Sequence, residues 1–329
     1  MDNPKPASSK PEDELPFSKW WPFAIGAAAG IALRLLFWGP PGNAYTAMAS
    51  GFIYFSPPLV GAVTVYVAER YKRRTWNYYI GASAVANSLF VIGTMLILIE
   101  GLICAVIILP LFVVLGAIGG LIMGAICRFT NWPKKALYGV GVLPLILGGI
   151  DPQIPLSERR DVVERSAVIH AAPGEIWRQI LHAPSIDPQE IKHAWLFRIG
   201  VPLTKSGVLR EERVRRITMG KNIYFDEVIL DSQENRYLRW AYRYYADSFP
   251  RYALDEHVVL GGHYFDIGDT SYTLTPQGPN TELRIRMAYR VSTRFNWYAD
   301  PVAAFLLGNL AQINLEYYRR RSEATRPQT

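Results

Sequence analysis

Five histidines are the side chains best suited to chemistry, and all of them, His170, His182, His193, His257 and His263, lie in the second half of the chain. Imidazole titrates near neutrality, so it can move protons or ligate a metal. Only "HVVLGGHYFD" places two of them close together, with Asp266 following. His257, His263 and Asp266 are therefore the candidate acid–base groups. The offset of six positions, with a Gly-Gly pair between the two histidines, matches no metal-ligand spacing such as HExxH, and a loop-stabilising role competes with a catalytic one. Ser166, Ser248 and Ser271 stand in no nucleophile elbow. No P-loop, dinucleotide fingerprint or paired-carboxylate motif is present, so neither a cofactor nor a metal is expected. Cys104 and Cys127 lie in or beside apolar runs, which leaves the second half without a thiolate ligand or a disulfide.

The elements that position these groups divide sharply along the chain. Residues 1–150 hold 11 Lys/Arg and 6 Asp/Glu, against 24 and 22 in residues 151–329. The first part is apolar and carries most of the net charge of +7, while the second is charge-rich and nearly balanced. Binding to nucleic acid needs clustered cations to displace counterions from phosphate; a balanced half does not supply them, and no nucleic-acid partner is expected.

Five apolar runs approach the roughly 20 residues that cross about 30 Å of hydrocarbon. They are residues 20–38, 46–67, 78–99, 102–126 and 136–150, after a polar tail at 1–19 expected to be disordered. Tryptophans bracket the first run as interfacial anchors, and Arg34 can snorkel from its end. The fifth is short and relies on Lys134 and Lys135; an interfacial segment is the alternative. Short basic loops, "ERYKRR" and "CRFTNWPKK", mark the cytoplasmic side, as the N-terminus does. Five crossings put the second half outside and four keep it in the cytoplasm. The expected placement is an integral protein of a bacterial inner membrane with its C-terminal half extracytoplasmic. Gly26 and Gly30, and Gly116, Gly120 and Gly124, recur at helix-packing spacing. They allow either packing within the bundle or a homo-oligomer. Glu100 sits at a hairpin tip between two of the runs.

After a linker at 151–159 the pattern turns to alternation. "ERSAVIH" reads as a strand and "APGEIWRQIL" as a helix with Pro173 in its first turn. "NIYFDEVIL" and "RYLRWAYRYY" form one hairpin, "DTSYTLTP" and "TELRIRMAYRVST" another. In the last strand Leu283, Ile285, Met287, Tyr289 and Val291 face one way and Arg284, Arg286 and Arg290 the other. "VLREERVRRI" reads as one strand with its Arg/Glu alternation on a solvated outer face. A final helix from about Tyr298 to Arg321 carries Val302, Phe305, Leu306, Leu310, Ile313 and Tyr317 as its apolar stripe.

Residues 160–325 resemble the SRPBCC (START-like) helix-grip superfamily. The resemblance rests on the opening "VIHAAPGEIWRQI", the "SYTLTP…TELRIRMAYRVST" hairpin and the terminal helix "FNWYADPVAAFLLGNLAQINLEYYRRRSE". It covers only the C-terminal half. After the multi-pass α-helical membrane domain read from the apolar runs, it implies an α+β domain, a curved antiparallel sheet gripping the last helix around a cavity for apolar molecules. Lining candidates on the inward faces are Leu238, Trp240, Tyr242, Tyr244, Met287, Tyr289, Phe305, Leu306, Leu310 and Ile313. The phenols would suit an amphiphile, since a buried hydroxyl wants a partner. The expected function is membrane-tethered binding or carriage of a lipid-like or other apolar small molecule. A cyclase- or hydrolase-like enzyme on a membrane-soluble substrate is the alternative, and a ligand sensor or assembly factor the second.

Overall fold

A computed structural model describes residues 19–131, 133–251 and 253–324. The polar tail read over residues 1–19 falls, apart from Lys19, outside them. The chain forms two compact units, Met1–Ile99 with Ile108–Ile154, and Glu100–Ile107 with Pro155–Thr329.

The first unit is helical: α1 (Trp21–Leu36), α2 (Ser50–Glu69), α3 (Trp76–Leu96), the greater part of α4 (Leu102–Phe129) and α5 (Pro133–Ile150). Among the described residues three helices, α2, α3 and α4, are long and apolar enough to cross a membrane. Of the five expected crossings, these three meet that measure of length and composition. At 16 residues α1 is only about 24 Å long, because Phe37 leaves helical geometry just before the "GPPG" turn. α5 has 18 residues but opens on Pro133, Lys134 and Lys135.

Glycine sets how closely these helices approach. A Cβ on Gly61 of α2 would fall on the Gly116 carbonyl of α4 and at 3.0 Å from the Gly120 nitrogen. Cβ atoms on Gly116, Gly120 and Gly124 would meet Asn87, Ser83 and Tyr79 of α3, and on Gly26 and Gly30 they would meet Thr64, Phe90 and Val60. These glycines are used inside the bundle. Of the two readings their spacing allowed, these contacts are packing within the bundle. Pro57 and Pro58 lie inside α2 and remove two backbone donors. The Asn87 amide, buried in α3, donates to the Pro57 carbonyl at 3.3 Å and to that of Ser83 at 2.9 Å. Asp151, buried after α5, takes the Ser50 hydroxyl at 2.6 Å at the start of α2, where a helix favours a carboxylate. At the other end of α2 the Tyr79 hydroxyl donates to Glu69 at 2.7 Å and accepts from Arg128 Nε at 3.0 Å. The two basic loops are tied together there.

The second unit is an eight-stranded antiparallel sheet curled around α9 (Asn296–Ala324), in the order β1-β8-β7-β6-β5-β4-β3-β2. The strands are β1 (Arg159–Ile169), β2 (His182–Ala183), β3 (Thr204–Glu211), β4 (Val214–Met219), β5 (Tyr224–Gln233), β6 (Tyr237–Arg243), β7 (Phe265–Gln277) and β8 (Asn280–Val291). α6 (Pro173–Leu181), α7 (Pro188–Ile191) and α8 (Trp195–Arg198) fall between β1 and β3. This is the helix-grip arrangement implied by the resemblance. Alternate residues of β8, Leu283 through Val291, are buried in one core with Leu307, Ala311, Leu315 and Tyr318 of α9.

Two readings of the sequence change. "VLREERVRRI" is not one strand but the hairpin β3–β4, turning at Glu212 and Arg213, with Leu209 opposite Arg215. The packed face of α9 is wider than the expected stripe: Ile313 and Tyr317 of that stripe are buried, Asp300, Leu307, Ala311, Leu315, Tyr318 and Ser322 are buried as well, whereas Phe305 is 56% exposed. Both ends of the helix are pinned. Asp300 in its second turn accepts the Tyr289 hydroxyl at 2.9 Å and pairs with Arg159 at 2.7 Å. Arg321 in its last turns forks onto Glu190 of α7 at 2.7 and 2.8 Å.

The glycine seam makes a clear prediction for the helical unit. Gly61→Ala should lower stability by about 1–3 kcal/mol, the cost of overpacking, read as a lower thermal midpoint of detergent-solubilised protein. Gly81→Ala on α3, with nothing within 4 Å of its new methyl, should leave the midpoint unchanged or raise it.

Candidate functional site

Opposed residues of an antiparallel pair share a face, and that rule builds an unexpected polar row inside the grip. Arg215 of β4 stands opposite Glu227 of β5, and Glu227 opposite Tyr242 of β6. The Tyr242 hydroxyl then shares a 2.7 Å hydrogen bond with that of Thr270 on β7. Arg215 is 5% exposed and Glu227 6%. Arg215 Nη1 donates to Glu227 Oε2 at 2.5 Å, and the guanidinium lies over the Trp240 ring, 5.3 Å from its centroid. Gly207 of β3 makes room for it, since a Cβ there would meet Arg215 Nη2. The Arg215 Nε–H is buried and has no hydrogen-bond partner among the described residues. Tyr272 and Tyr318 complete the surround, Tyr272 packing on Trp240 at 4.9 Å and on Tyr318 at 6.0 Å.

The electrostatics of this cluster are those of charge in an apolar wall. Burial pushes the Glu227 carboxyl above the usual carboxylate range, with Arg215 pulling against it. Burial also works against the charge on Arg215, but the Glu227 carboxylate outweighs it and the guanidinium stays protonated. Burial raises the Tyr242, Tyr272 and Tyr318 phenols, while Tyr317 is pushed up to about 12. All are neutral at working pH, able to donate or accept a hydrogen bond but not to act as a base. What the row can do is bind: it offers a fixed cation, an anion and hydroxyls to one polar group in an otherwise apolar interior.

The residues singled out in the sequence scatter around this row. Leu238, Trp240, Met287, Tyr289 and Ile313 are buried in the main core, with Tyr242 and Leu310 packed against it. Tyr244 stacks on Tyr242 at 6.4 Å and belongs to a second core with Phe225 and Ile217. Tyr289 is committed to Asp300. Phe305 lies outside the packed face and Leu306 is half-buried. His257 and His263 both pack on Tyr264, at 5.8 and 4.8 Å, but among the described residues no hydrogen bond joins them to each other or to Asp266. His257 is buried with carboxylate oxygens of Glu100 and Glu256 each 4.0 Å away, while His263 is exposed against the edge of Tyr264 at 4.8 Å. Asp266 accepts the Gly261 N–H at 2.8 Å within that loop. Among the described residues no group of three potential ligands could hold a metal.

Sequence reading missed Arg215, Glu227, Thr270, Tyr272 and Tyr318. One signal was available: Glu227 shares strand parity with Phe225 and Ile229, and Arg215 with Ile217, so both charges sit at positions where alternation demands an apolar residue. The other cation of β4, Arg216, is paired as well. Arg216 forks onto Asp226, whose second oxygen also accepts the Tyr245 hydroxyl at 2.5 Å. Burial would raise the Asp226 carboxyl, but Arg216 and Tyr245 together hold it below the usual range.

No protein-family model and no curated protein matches the sequence. Solved structures do. A START superfamily protein from Mycobacterium smegmatis is 14% identical, with 50% of this chain and 99% of that one covered and a TM-score of 0.33. DR_A0006 from Deinococcus radiodurans is 10% identical over 50% and 99%, TM-score 0.29. The di-domain ARO/CYC StfQ of the steffimycin biosynthetic pathway is 11% identical over 58% and 60%, TM-score 0.32. Likeness at this level concerns architecture and carries nothing about ligand or reaction.

The ion pair is open to a direct test. Arg215→Met should destabilise the C-terminal unit by about 3–5 kcal/mol, because it strands a buried carboxylate, whereas Arg215→Met with Glu227→Met should recover most of the loss. Denaturant unfolding followed by tryptophan fluorescence checks both.

Proposed function

We propose that the chain is a membrane-anchored binder of an amphipathic small molecule. Its sheet and α9 hold the apolar body of the ligand, and Arg215 and Glu227 hold the polar end. The observation that carries this reading is the buried pair with the guanidinium Nε–H unpartnered. A grip serving only as a core would be as stable with apolar residues at both positions. Leu238, Trp240 and Met287 supply the apolar wall beside the pair, and Tyr242 and Thr270 extend the polar row.

In this reading α2, α3 and α4 cross a bilayer and the basic loops face the cytoplasm. α5, about 27 Å long at 1.5 Å per residue, adds a crossing together with α1, and the C-terminal unit is extracytoplasmic. The course of α4 supports that orientation: its first residues belong to the second unit, while its last, with Arg128, reach the basic loops.

Titration of the full-length protein with cis-parinaric acid, a fluorescent amphiphile, tests the binding role. Loss of a charged hydrogen-bond donor is worth about 1.5–3 kcal/mol, so Arg215→Gln should raise Kd about tenfold or more. Phe305→Ala should leave it unchanged. Equal affinity in wild type and Arg215→Gln, or no saturable binding at all, would remove the reading.

A further inference from the structure

We infer that the C-terminal unit carries a bilayer-docking face made of Trp195, Trp297, Pro301 and Phe305. The inference rests on α4 being a membrane span. Trp297, Pro301 and Phe305 lie four residues apart on α9 and so share one side of the helix, and all three are exposed, Trp297 to 59%. Trp195 of α8 joins them, its ring 6.3 Å from that of Phe305 and itself exposed. Large apolar side chains gathered this way on a folded surface mark an interaction site.

Two observations identify the occupant as a lipid bilayer. The first is continuity with α4, whose initial turns belong to the same unit. The Tyr298 hydroxyl, next to Trp297 in sequence, donates to the Ile107 carbonyl at 2.6 Å, and Gly200, just after α8, packs beside Leu102 and Ile103. Leu102 and Val106 are exposed on that stretch of α4. If α4 enters the membrane, the water–lipid boundary falls within a turn or two of these contacts and the aromatic face lies beside it. The second observation is chemistry. Tryptophan flanked by basic side chains suits the headgroup layer, where the ring meets acyl chains and the cation meets phosphate. The Arg198 guanidinium lies over the Trp195 ring at 4.6 Å, and Lys192 and Arg198 are exposed on the same segment. Docking here would bring α8 and the first half of α9, which close one side of the grip, against lipid.

Spin labelling of the full chain tests this in vesicles of phosphatidylcholine and phosphatidylglycerol. In a Cys104→Ala, Cys127→Ala background, single nitroxides go on Trp297→Cys, Phe305→Cys, Val114→Cys and Arg319→Cys. Val114 is an exposed position of α4, and Arg319 lies on α9 about 33 Å from Trp297. The readout is accessibility to oxygen, which favours lipid, relative to a water-soluble nickel chelate. The ratio should be several-fold higher at 297 and 305 than at 319, and highest at 114. Ratios at 297 and 305 equal to that at 319, with 114 deep in lipid, overturn the docking face while α4 remains a span. Low accessibility to both reagents at 297 and 305 places a protein surface there and overturns it too. A water-exposed 114 removes the span, and the docking face with it.

Discussion

Moving the Arg215 guanidinium and the Glu227 carboxylate out of water costs several kcal/mol for each ion, and the surrounding fold is arranged so that this cost can be met. Their register across β4 and β5 sets them face to face, Gly207 leaves the volume the guanidinium fills, and Trp240 gives it a ring to lie on. The curl of the sheet around α9 then seals the pair from solvent with Tyr272 and Tyr318. Each of these features would be unnecessary in a wholly apolar core. Together they keep one cation and one anion at fixed positions in a low-dielectric interior, where a ligand's polar end can find partners and its apolar remainder need not be hydrated.

The helix that closes the interior is held at both ends by charge. Asp300 ties the beginning of α9 to β1 and β8, and Arg321 ties its end to α7. Between these anchors most contacts are apolar, with Asn309 accepting the Trp195 N–H at 2.7 Å. Close approach is solved differently in the helical unit, where lipid would offer little hydrophobic gain for packing one helix on another. Glycine removes the side chain at the seam of α2 and α4, and the Asn87 amide answers a carbonyl beside the prolines of α2. The two units thus place their polar groups inside in different ways: satisfaction of the backbone in one, a buried ion pair in the other.

Much of this architecture is legible in the sequence because it follows from local periodicity. The strict alternation of β8, one face buried and the other charged, identifies a strand and its inward residues without reference to any neighbour. The long apolar runs identify α2, α3 and α4 by length alone. Arg215 and Glu227 are not legible in the same way, because each looks like a solvated charge until the pairing of β3, β4 and β5 is known. That pairing depends on a turn at Glu212 and Arg213 with no glycine or proline to announce it. The stripe of α9 is only partly legible for a related reason: Ile313 and Tyr317 are buried as their spacing indicates, but Leu307, Ala311 and Leu315 are buried too. A helix enclosed by a curved sheet contacts protein over a wide arc, so apolar residues occur on several sides, and Phe305 resembles Leu307 in sequence while facing away from the core. The glycines of the bundle announced close packing, but only the structure gives the partner of each.

Native mass spectrometry of the full-length protein, released gently from its own membranes, tests the central claim most directly when wild type and Arg215→Gln are compared. The account predicts a discrete bound amphiphile on the wild-type protein and its loss, or a sharp fall in occupancy, on Arg215→Gln with the fold intact. A wild-type protein that carries no ligand, or a ligand retained equally by both proteins, would contradict it.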